Sequence, residues 1–163
     1  MLNALITRNE IFNVHTGVDV TNGINPYLIS NAIYDSSNAI RAGSTQILSI
    51  IGNTIDTCDQ AIYLDSSSDA TISSNNITFN NHGLYRTSDT SVNMSYNNLF
   101  YTLDKWNIAP NDFTGNIGDL PTDDPSYVNR SAKDYHIGTG SPNIGTGQNN
   151  IDPYSIDFDG KSR

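Results

Sequence analysis

Aliphatic residues return at a fixed interval of 22 positions over residues 6–106. Three such columns keep one phase without an insertion, and a column of asparagines keeps the same phase. The columns are Ile6, Leu28, Ile50, Ile72 and Met94; Ile11, Ile33, Ile55, Ile77 and Leu99; Val18, Ile40, Ile62, Leu84 and Trp106; and Asn9, Asn31, Asn53, Asn75 and Asn97. Self-similarity at a constant period of this size is typical of stacked-repeat architectures.

Each repeat predicts about three short strands separated by turns. Within each apolar run the inward residues lie two positions apart, which is strand periodicity, and helical spacing is not sustained. Stacking places every strand beside its copy in the next coil, parallel to it and about 4.8 Å away. Because connections between parallel strands are overwhelmingly right-handed, we predict an all-β, right-handed parallel β-helix solenoid. It has about five 22-residue coils over residues 1–108, and the repeat is lost in an irregular C-terminal tail over residues 109–163.

The asparagine column accounts for stretches such as SSNNITFNNHG at residues 73–83. We place each Asn at a tight corner between two strands, where left-handed backbone geometry is needed and Asn tolerates it. The side-chain amides of successive coils can then hydrogen-bond to one another, as in other stacked β structures. The column is therefore interpreted as structural rather than ligand-binding.

The N-x-I corners, with strand starts G-I/L and A-I, resemble the right-handed β-helix superfamily of pectin lyases and related polysaccharide enzymes. The tail carries D-P-x-aromatic-V-N at 124–129, D-aromatic-x-aliphatic at 134–137, G-S-P-x-I at 140–144 and D-x-D-G-x-x-R at 157–163. This succession resembles a C-terminal module of bacterial β-helix proteins, although Asn143 and Gly145 depart from its usual Ala and Asp. The resemblance implies an extracellular protein whose tail folds back on the solenoid and is not a catalytic unit.

In the resembled enzymes, the substrate groove follows the outer face of the sheet whose strands begin with a small–aliphatic pair. Here the outward residues of that sheet follow the Val18 column by one position, and a row of small residues that ends in Lys105 precedes it. Aromatic faces pack on sugar rings, while Arg and Asp bind hydroxyls or carboxylates. The predicted substrate-binding residues are Asp19, Arg41, Tyr63, Asp65, Tyr85 and Lys105.

A lyase or epimerase acting on a uronic acid needs a base and a cation that neutralises the carboxylate. Arg41 or Lys105 can serve as base or clamp. Asp19 and Asp65 can share a calcium ion only with a further ligand, because two coils separate them by roughly 10 Å. No complete metal motif is present, and we therefore predict no cofactor. His15 and His82 are three coils apart and cannot share a metal.

Two functions remain open at this point. The first is a carbohydrate-interacting β-helix, a remnant of a polysaccharide lyase or epimerase that acts on acidic polysaccharide. The second is a non-catalytic structural or protein-interaction scaffold. Stacked tyrosines stabilise a sheet without any ligand, and the constant spacing leaves no inserted turns to wall a cleft. Both points favour the scaffold, and catalysis is therefore not assigned.

The charge and the composition limit the classes of partner that the protein can bind. The net charge is −9, with 8 Lys and Arg against 17 Asp and Glu, so neither nucleic acid nor an anionic membrane surface is expected as a partner. The single cysteine, Cys58, forms no intrachain disulfide and is interpreted as a buried filler. The start MLNALITRNE lacks the basic residues and long apolar run of a signal peptide, so the expected location rests on the resemblance alone.

The first coil predicts contact between copies of the chain. Its core columns begin at Ala4 and Ile6, and this end of a β-helix shows bare aliphatic residues and unpaired strand edges. Two outcomes are reasonable: either the chain is a fragment whose upstream coils are missing, or this end is buried against another copy. For a purified soluble protein we expect the second, a homodimer or higher oligomer joined through the first coil.

Overall fold

The computed structural model describes residues 4–45, 47–65, 69–88, 91–147 and residue 159. In these residues the chain forms strands β1–β16 and two 3₁₀ helices, Pro121–Asp123 and Arg130–Ala132. The strands are, in order, Leu5–Thr7, Glu10–Phe12, Thr16–Thr21, Tyr27–Ile29, Ala32–Tyr34, Asn38–Gly43, Ile47–Ile51, Thr54–Asp56, Gln60–Asp65, Asp69–Ser73, Asn76–Thr78, His82–Arg86, Val92–Ser95, Asp104–Trp106, Tyr127–Asn129 and Asp134–Ile137. The described part of the chain has no helix with the length and hydropathy needed to cross a membrane.

Three parallel sheets form the walls of a β-solenoid. The first sheet contains β1, β4, β7, β10 and β13, the second β2, β5, β8 and β11, and the third β3, β6, β9, β12 and β14. Paired residues in neighbouring coils are 22 positions apart, as in Ile6 with Leu28 and Val18 with Ile40. The 22-residue sequence period is thus the register of all three sheets, and the predicted all-β parallel solenoid is confirmed.

The aliphatic columns fill the interior of the solenoid. Leu28, Ile33 and Ile40, one from each column, are fully buried, as are their copies in the following coils except Trp106, which is partly buried at the C-terminal end. Each such side chain contributes about 1.5–3 kcal/mol through removal of apolar surface from water. A continuous core therefore runs along the axis, and each coil is stable only because its neighbours cover it.

The asparagine ladder forms as predicted. The Nδ2 group of Asn53 donates to Oδ1 of Asn75 at 3.0 Å, and Nδ2 of Asn75 donates to Oδ1 of Asn97 at 2.8 Å. The same oxygens accept a backbone N–H, as in Asn53 N to Asn75 Oδ1 at 2.8 Å. Buried amides are therefore satisfied from coil to coil, which fixes the register.

The backbone geometry of this corner differs from the prediction. The left-handed residue is the one before each Asn, with φ between 55° and 63°: Arg8, Ser30, Gly52, Ser74 and Tyr96. This residue turns the chain so that the following Asn side chain points inward, where its amide can span two coils. The prediction that Asn itself adopts the left-handed conformation was wrong.

A second corner repeats this device. Its left-handed residues are Asn13, Asp35, Thr57, Phe79 and Tyr101, and the residue after each begins another inward column that includes Cys58 and Asn80. Asn80 Oδ1 accepts from the backbone N–H of Cys58 at 2.8 Å. Cys58 is 3% exposed, and burial raises the pKa of its thiol to about 12. The prediction that Cys58 is a buried filler is confirmed.

The C-terminal end of the solenoid is covered by residues 111–117. Asn97 Nδ2 donates to Asn116 Oδ1 at 2.8 Å, which adds a rung to the ladder after 19 residues instead of 22. Phe113 packs against the ring of Trp106 at 4.5 Å between centroids. Coil-to-coil pairing thus extends past residue 108, through a bridge between Asn98 and Ile117. The division of the chain at 108 stays a prediction.

A buried arginine supports this covered end. Arg86 is 2% exposed and lies in the third sheet, paired with Leu64 of the previous coil. Its guanidinium donates to the backbone carbonyl oxygens of Ile108, at 3.3 Å, and Ala109. The guanidinium thereby satisfies carbonyl groups of the last turn that have no further coil to pair with.

Candidate functional site

The predicted outward row of the third sheet forms a straight line across four coils. Asp19 is paired with Arg41, Arg41 with Tyr63, and Tyr63 with Tyr85. Asp65 lies one coil on from Arg41, opposite Gly43. The structure therefore brings five of the predicted residues together on one open sheet face. We call Asp19, Arg41, Tyr63, Asp65 and Tyr85 the strip.

Arg41 is the centre of the charged half of the strip. Its Nη1 lies 3.0 Å from Asp19 Oδ2 and its Nη2 lies 3.7 Å from Asp65 Oδ2. Thr21 and Thr87 donate to the same two carboxylates, at 2.8 Å and 3.1 Å. The guanidinium thus occupies the space between Asp19 and Asp65 where a shared calcium ion would have to sit. The three charged side chains are about 40% exposed, so these pairs are surface ion pairs.

The aromatic half of the strip is a stack of two rings. The rings of Tyr63 and Tyr85 are 5.6 Å apart between centroids and 6° from parallel. Arg41 continues the stack, with its guanidinium carbon 6.0 Å from the centroid of the Tyr63 ring. Because Tyr63 has a neighbour on each side, its ring presents an edge rather than a face to a ligand.

Lys105 lies outside this line. It aligns with Gly83 in the small-residue row, whose members Ala39 and Ala61 are fully buried. A Cβ at Gly83 would lie 2.8 Å from the Lys105 carbonyl oxygen, so close strand packing explains why this row is small. The Lys105 ammonium contacts the carboxylate of Asp119. The small row is therefore not a surface groove, and a substrate-binding role for Lys105 stays a prediction.

His82 borders the strip, a position that the sequence analysis did not assign to the site. Its ring centroid is 6.2 Å from that of Tyr85. Its Nδ1 lies 3.3 Å from Asp104 Oδ2 of the next coil. The 22-residue register that located the strip also places His82 and Asp104 side by side, so the signal was present in the sequence.

The second sheet carries a very different polar cluster on its outer face. Asp56 is fully buried there, and its carboxylate accepts hydrogen bonds from four donor groups. Arg130 Nε donates to both carboxylate oxygens at 3.0 and 3.1 Å. Thr78, Thr57 and Tyr135 hydroxyls donate at 2.8, 2.7 and 3.1 Å. Arg130 and Tyr135 belong to the C-terminal part of the chain, so the cluster joins that part to the solenoid. We call Asp56, Thr57, Thr78, Arg130 and Tyr135 the latch.

Further contacts hold residues 124–147 to the same face. The Arg130 guanidinium carbon lies 3.5 Å from the centroid of the Phe79 ring, and Lys133 Nζ lies 2.7 Å from Asp35 Oδ2. Asn143 bridges two coils: its Nδ2 donates to Asn76 Oδ1 at 2.6 Å, and its Oδ1 accepts from Asn98 Nδ2 at 2.7 Å. Asn143, the departure from the tail pattern, is thus a docking residue.

Burial at the latch changes the ionisation of its tyrosines. Burial, and then the nearby charge of Asp56, raises the pKa of Tyr135 far above its ordinary value of about 10. Burial likewise raises the pKa of Tyr127, whose hydroxyl lies 3.2 Å from Thr78 Oγ1. Burial and a hydrogen bond to Glu10 raise the pKa of Tyr34 to about 12. These hydroxyl groups therefore remain protonated over the physiological pH range.

The latch was missed because its partners are 74 and 79 residues apart in the chain. No periodicity links Arg130 or Tyr135 to Asp56. Of the D-x-D-G-x-x-R element at 157–163, only Asp159 is among the described residues. Asp159 Oδ2 lies 2.7 Å from His136 Nε2, and Asp134 contacts the other ring nitrogen. These two hydrogen bonds, Asp134 first, raise the pKa of His136.

In the described part of the chain, no three His, Cys, Asp or Glu side chains are arranged so that they could hold a metal ion. Arg41 lies between the strip carboxylates. The strip is thus an exposed row on a sheet face, whereas the latch is a buried set of contacts between the solenoid and the C-terminal part of the chain.

A family model matches most of the chain. The model of the family described as "Periplasmic copper-binding protein (NosD)" matches residues 2–117, which is more than half of the chain and includes the whole strip. Neither the curated proteins nor the solved structures gave a match. Because this match covers more than half of the chain, and the matched residues form a parallel β-solenoid, the chain belongs to the NosD family.

Proposed function

We propose that this protein is a non-catalytic binding scaffold that works outside the cytoplasm and that the strip is its binding surface. The observation that carries the proposal is the ion-paired triad of Asp19, Arg41 and Asp65 on an open, flat sheet face. Rigid outward rows of this kind present a fixed array of groups to an extended partner. The family description, which names a periplasmic protein, supports the location.

The pairings favour binding over catalysis. A uronic-acid lyase or epimerase needs a basic group free to take a proton and a cation free to hold the carboxylate. Arg41 lies between two carboxylates, and the Lys105 ammonium contacts Asp119. No inserted turn encloses the strip in coils whose paired residues keep a 22-residue spacing.

The ligand class that fits the strip best is an extended polysaccharide lying along the solenoid axis. Its hydroxyl groups can bond to Asp19 and Asp65, which two coils separate by roughly 10 Å. A carboxylate on the polysaccharide can pair with the exposed side of Arg41, and sugar rings can contact the edges of Tyr63 and Tyr85. A protein partner that binds the same face is the second candidate, favoured by the flatness of the sheet.

Copper is the ligand named in the family description, and the described residues of this chain include no group of three His, Cys, Asp or Glu side chains that could hold it. Copper prefers imidazole, thiolate and thioether ligands. Cys58 and Met94 are buried in the core, and burial raises the pKa of the Cys58 thiol to about 12. His82 is paired with Asp104, while His136 is held by Asp134 and Asp159. We therefore propose no copper chemistry for this chain.

The test is a binding measurement combined with a turnover measurement. The protein is screened on an array of acidic and neutral oligosaccharides, each ligand that binds is titrated by calorimetry, and uronide cleavage is followed by absorbance. We expect binding without cleavage. The double variant Tyr63→Ser/Tyr85→Ser should lose binding at an unchanged fold. Tyr101→Ser is the matched control, because Tyr101 is exposed and also stacks on a ring, that of Phe79 at 5.4 Å.

Two outcomes would overturn parts of the proposal. Cleavage that disappears in the tyrosine double variant would make the strip an active site. Absence of any glycan binding would remove the polysaccharide and favour a protein partner on the same face.

A further inference from the structure

The third sheet carries a second row of outward side chains beside the strip. Asn38, Gln60 and His82 begin its strands β6, β9 and β12, and they pair with one another at the 22-residue spacing. In each of these strands the first and fourth residues are half-buried, and the two residues between them are buried. The first residues therefore reach solvent on the same side as the strip, which the fourth residues form. We call Asn38, Gln60 and His82 the second row.

The second row lies close to the strip. The centroid of the His82 ring is 6.2 Å from that of the Tyr85 ring, three residues further along the strand. Because both rows keep the same register, Asn38 and Gln60 lie at the same offset beside the strip residues of their own strands. A ligand that lies along the strip therefore also lies beside the second row.

The side-chain amides of Asn38 and Gln60 are available to such a ligand. Among the described residues neither amide makes a hydrogen bond, and neither has a buried atom without a partner, so their polar atoms reach solvent. The amide of Asn107, in contrast, is used within the chain. Its Oδ1 accepts from the backbone N–H of Arg86 and its Nδ2 donates to the Arg86 carbonyl oxygen, both at 2.7 Å.

We propose, on the basis of the proposed function, that Asn38 and Gln60 recognise pairs of neighbouring hydroxyl groups on an acidic polysaccharide bound along the strip. A side-chain amide holds an acceptor oxygen and a donor nitrogen side by side. Two hydroxyl groups on adjacent carbons of a sugar ring can each donate and accept, so one amide can bond to both. His82 is already paired with Asp104 at 3.3 Å and is not assigned this role.

The two rows select different properties of the ligand. The Arg41 side chain, three residues after Asn38, is 41% exposed, so a ligand carboxylate can approach it from solvent. Asn38 and Gln60 are uncharged and match hydroxyl groups rather than carboxylates. A site that hydrogen-bonds a hydroxyl group discriminates strongly against an analogue that lacks it. The strip therefore selects an acidic chain, and the second row selects one whose ring hydroxyl groups are unsubstituted.

The test compares two ligands by calorimetry on the full chain. The ligands are an oligouronate and the same oligouronate with its ring hydroxyl groups methylated, which removes their O–H donors at unchanged charge. The parent should bind the methylated ligand about ten-fold more weakly. Asn38→Ala/Gln60→Ala should bind the unmodified ligand about ten-fold more weakly than the parent, and it should no longer distinguish the two ligands.

The matched control removes two polar side chains from another face. Thr71 and Asn93 are exposed, outward residues that pair between adjacent coils of the first sheet. Thr71→Ala/Asn93→Ala should bind both ligands like the parent. Gln60→Met keeps the length of the side chain and removes only the amide, so it keeps the test decisive if the alanine pair fails to fold.

Salt separates the second row from the charges of the strip. The loss of affinity in Arg41→Met should shrink at high salt, because exposed charges are then screened. The loss in Asn38→Ala/Gln60→Ala should stay the same, because these side chains carry no charge. A loss in the second-row variant that disappears at high salt would overturn the inference.

The outcomes distinguish this inference from the proposed function. Binding that Tyr63→Ser/Tyr85→Ser abolishes, and that the second-row variants leave unchanged, would overturn the inference and leave the proposed function standing. A parent that binds neither ligand would overturn the polysaccharide as the ligand of the strip and this inference with it.

Discussion

The outer faces of the second and third sheets present the same type of ion pair in two different environments. On the third sheet, Arg41 pairs with Asp19 and Asp65, and all three side chains are about 40% exposed. On the second sheet, Arg130 pairs with Asp56, whose side chain is 1% exposed. Arg41 comes from a neighbouring coil, whereas Arg130 comes from 74 residues away. The same 22-residue repeat therefore forms one sheet face that is exposed to solvent and another that the C-terminal part of the chain covers.

The difference is one of solvation. A buried carboxylate is tolerated only when its charge and lone pairs are satisfied, so removing one partner is costly. An exposed ion pair is already solvated, and its contribution is typically below about 1 kcal/mol. Removing one partner of the latch should therefore cost more stability than removing one partner of the strip.

The largest effect is expected at the latch. Arg130→Met keeps the length of the side chain but removes the charge that faces Asp56. We expect the free energy of unfolding to fall by about 2–4 kcal/mol, because Asp56 is left buried with only hydroxyl donors. Urea melts followed by circular dichroism measure the change. A loss below about 1 kcal/mol would mean that the covered face is no different from the open one.

The second-largest loss of stability is expected in the asparagine ladder, because the ladder holds the coils that form both faces in register. Asn53→Ala removes an amide that donates to Asn75 and accepts from Asn31. We expect a loss of about 1–3 kcal/mol from buried hydrogen-bonding groups left without partners. Asn9→Ala is the matched control and should cost less, because Asn9 is exposed whereas Asn53 is buried. Thermal melts compare the two variants, and an Asn53→Ala protein that melts like the parent would contradict the ladder account.

Alkaline pH should weaken the covered face. The pKa of Tyr135 is raised above the unfolded value of about 10 by burial and by Asp56. Its contribution is therefore complete below pH 10 and decreases as the pH rises from about 10 towards the folded pKa. Urea melts at about pH 8 and pH 11 should show a steeper loss for the parent than for Tyr135→Phe. Equal losses would argue against a buried Tyr135.

The smallest effect is expected on the strip. Arg41→Met is the counterpart of Arg130→Met, since both remove a guanidinium beside a carboxylate. We expect a change of about 0–1 kcal/mol, because the pair is exposed, and we expect weaker binding of any acidic oligosaccharide. The same urea melts, with calorimetry for binding, measure both quantities. A stability loss as large as that of Arg130→Met would make the strip a structural element.

Much of the fold could be predicted because it is encoded in one repeated register. The columns of Ile6, Ile11 and Val18 predicted the three walls, and the same phase aligned Tyr63 with Tyr85. The left-handed conformation was misplaced by one residue, because Asn is a common left-handed residue in turns whereas here the residue before it turns the chain.

Features without the repeat could not be predicted in this way. The last residue of the asparagine ladder, Asn116, was missed because it follows Asn97 after 19 residues, three fewer than the repeat of 22. The contact between Asp56 and Arg130 depends on where the tail lies on the solenoid, which no periodicity specifies. Arg86 occupies a core column at a position where the repeat alone predicts an apolar side chain.

Carboxyl labelling with a carbodiimide, read out by mass spectrometry, tests the contrast between the two faces most directly. In the parent, Asp19 and Asp65 should be labelled and Asp56 should remain unlabelled, because its side chain is 1% exposed and fully hydrogen-bonded. In Arg130→Met, the label should also appear on Asp56 while labelling of the strip stays unchanged. Labelling of Asp56 in the parent at the rate of Asp65 would contradict the account.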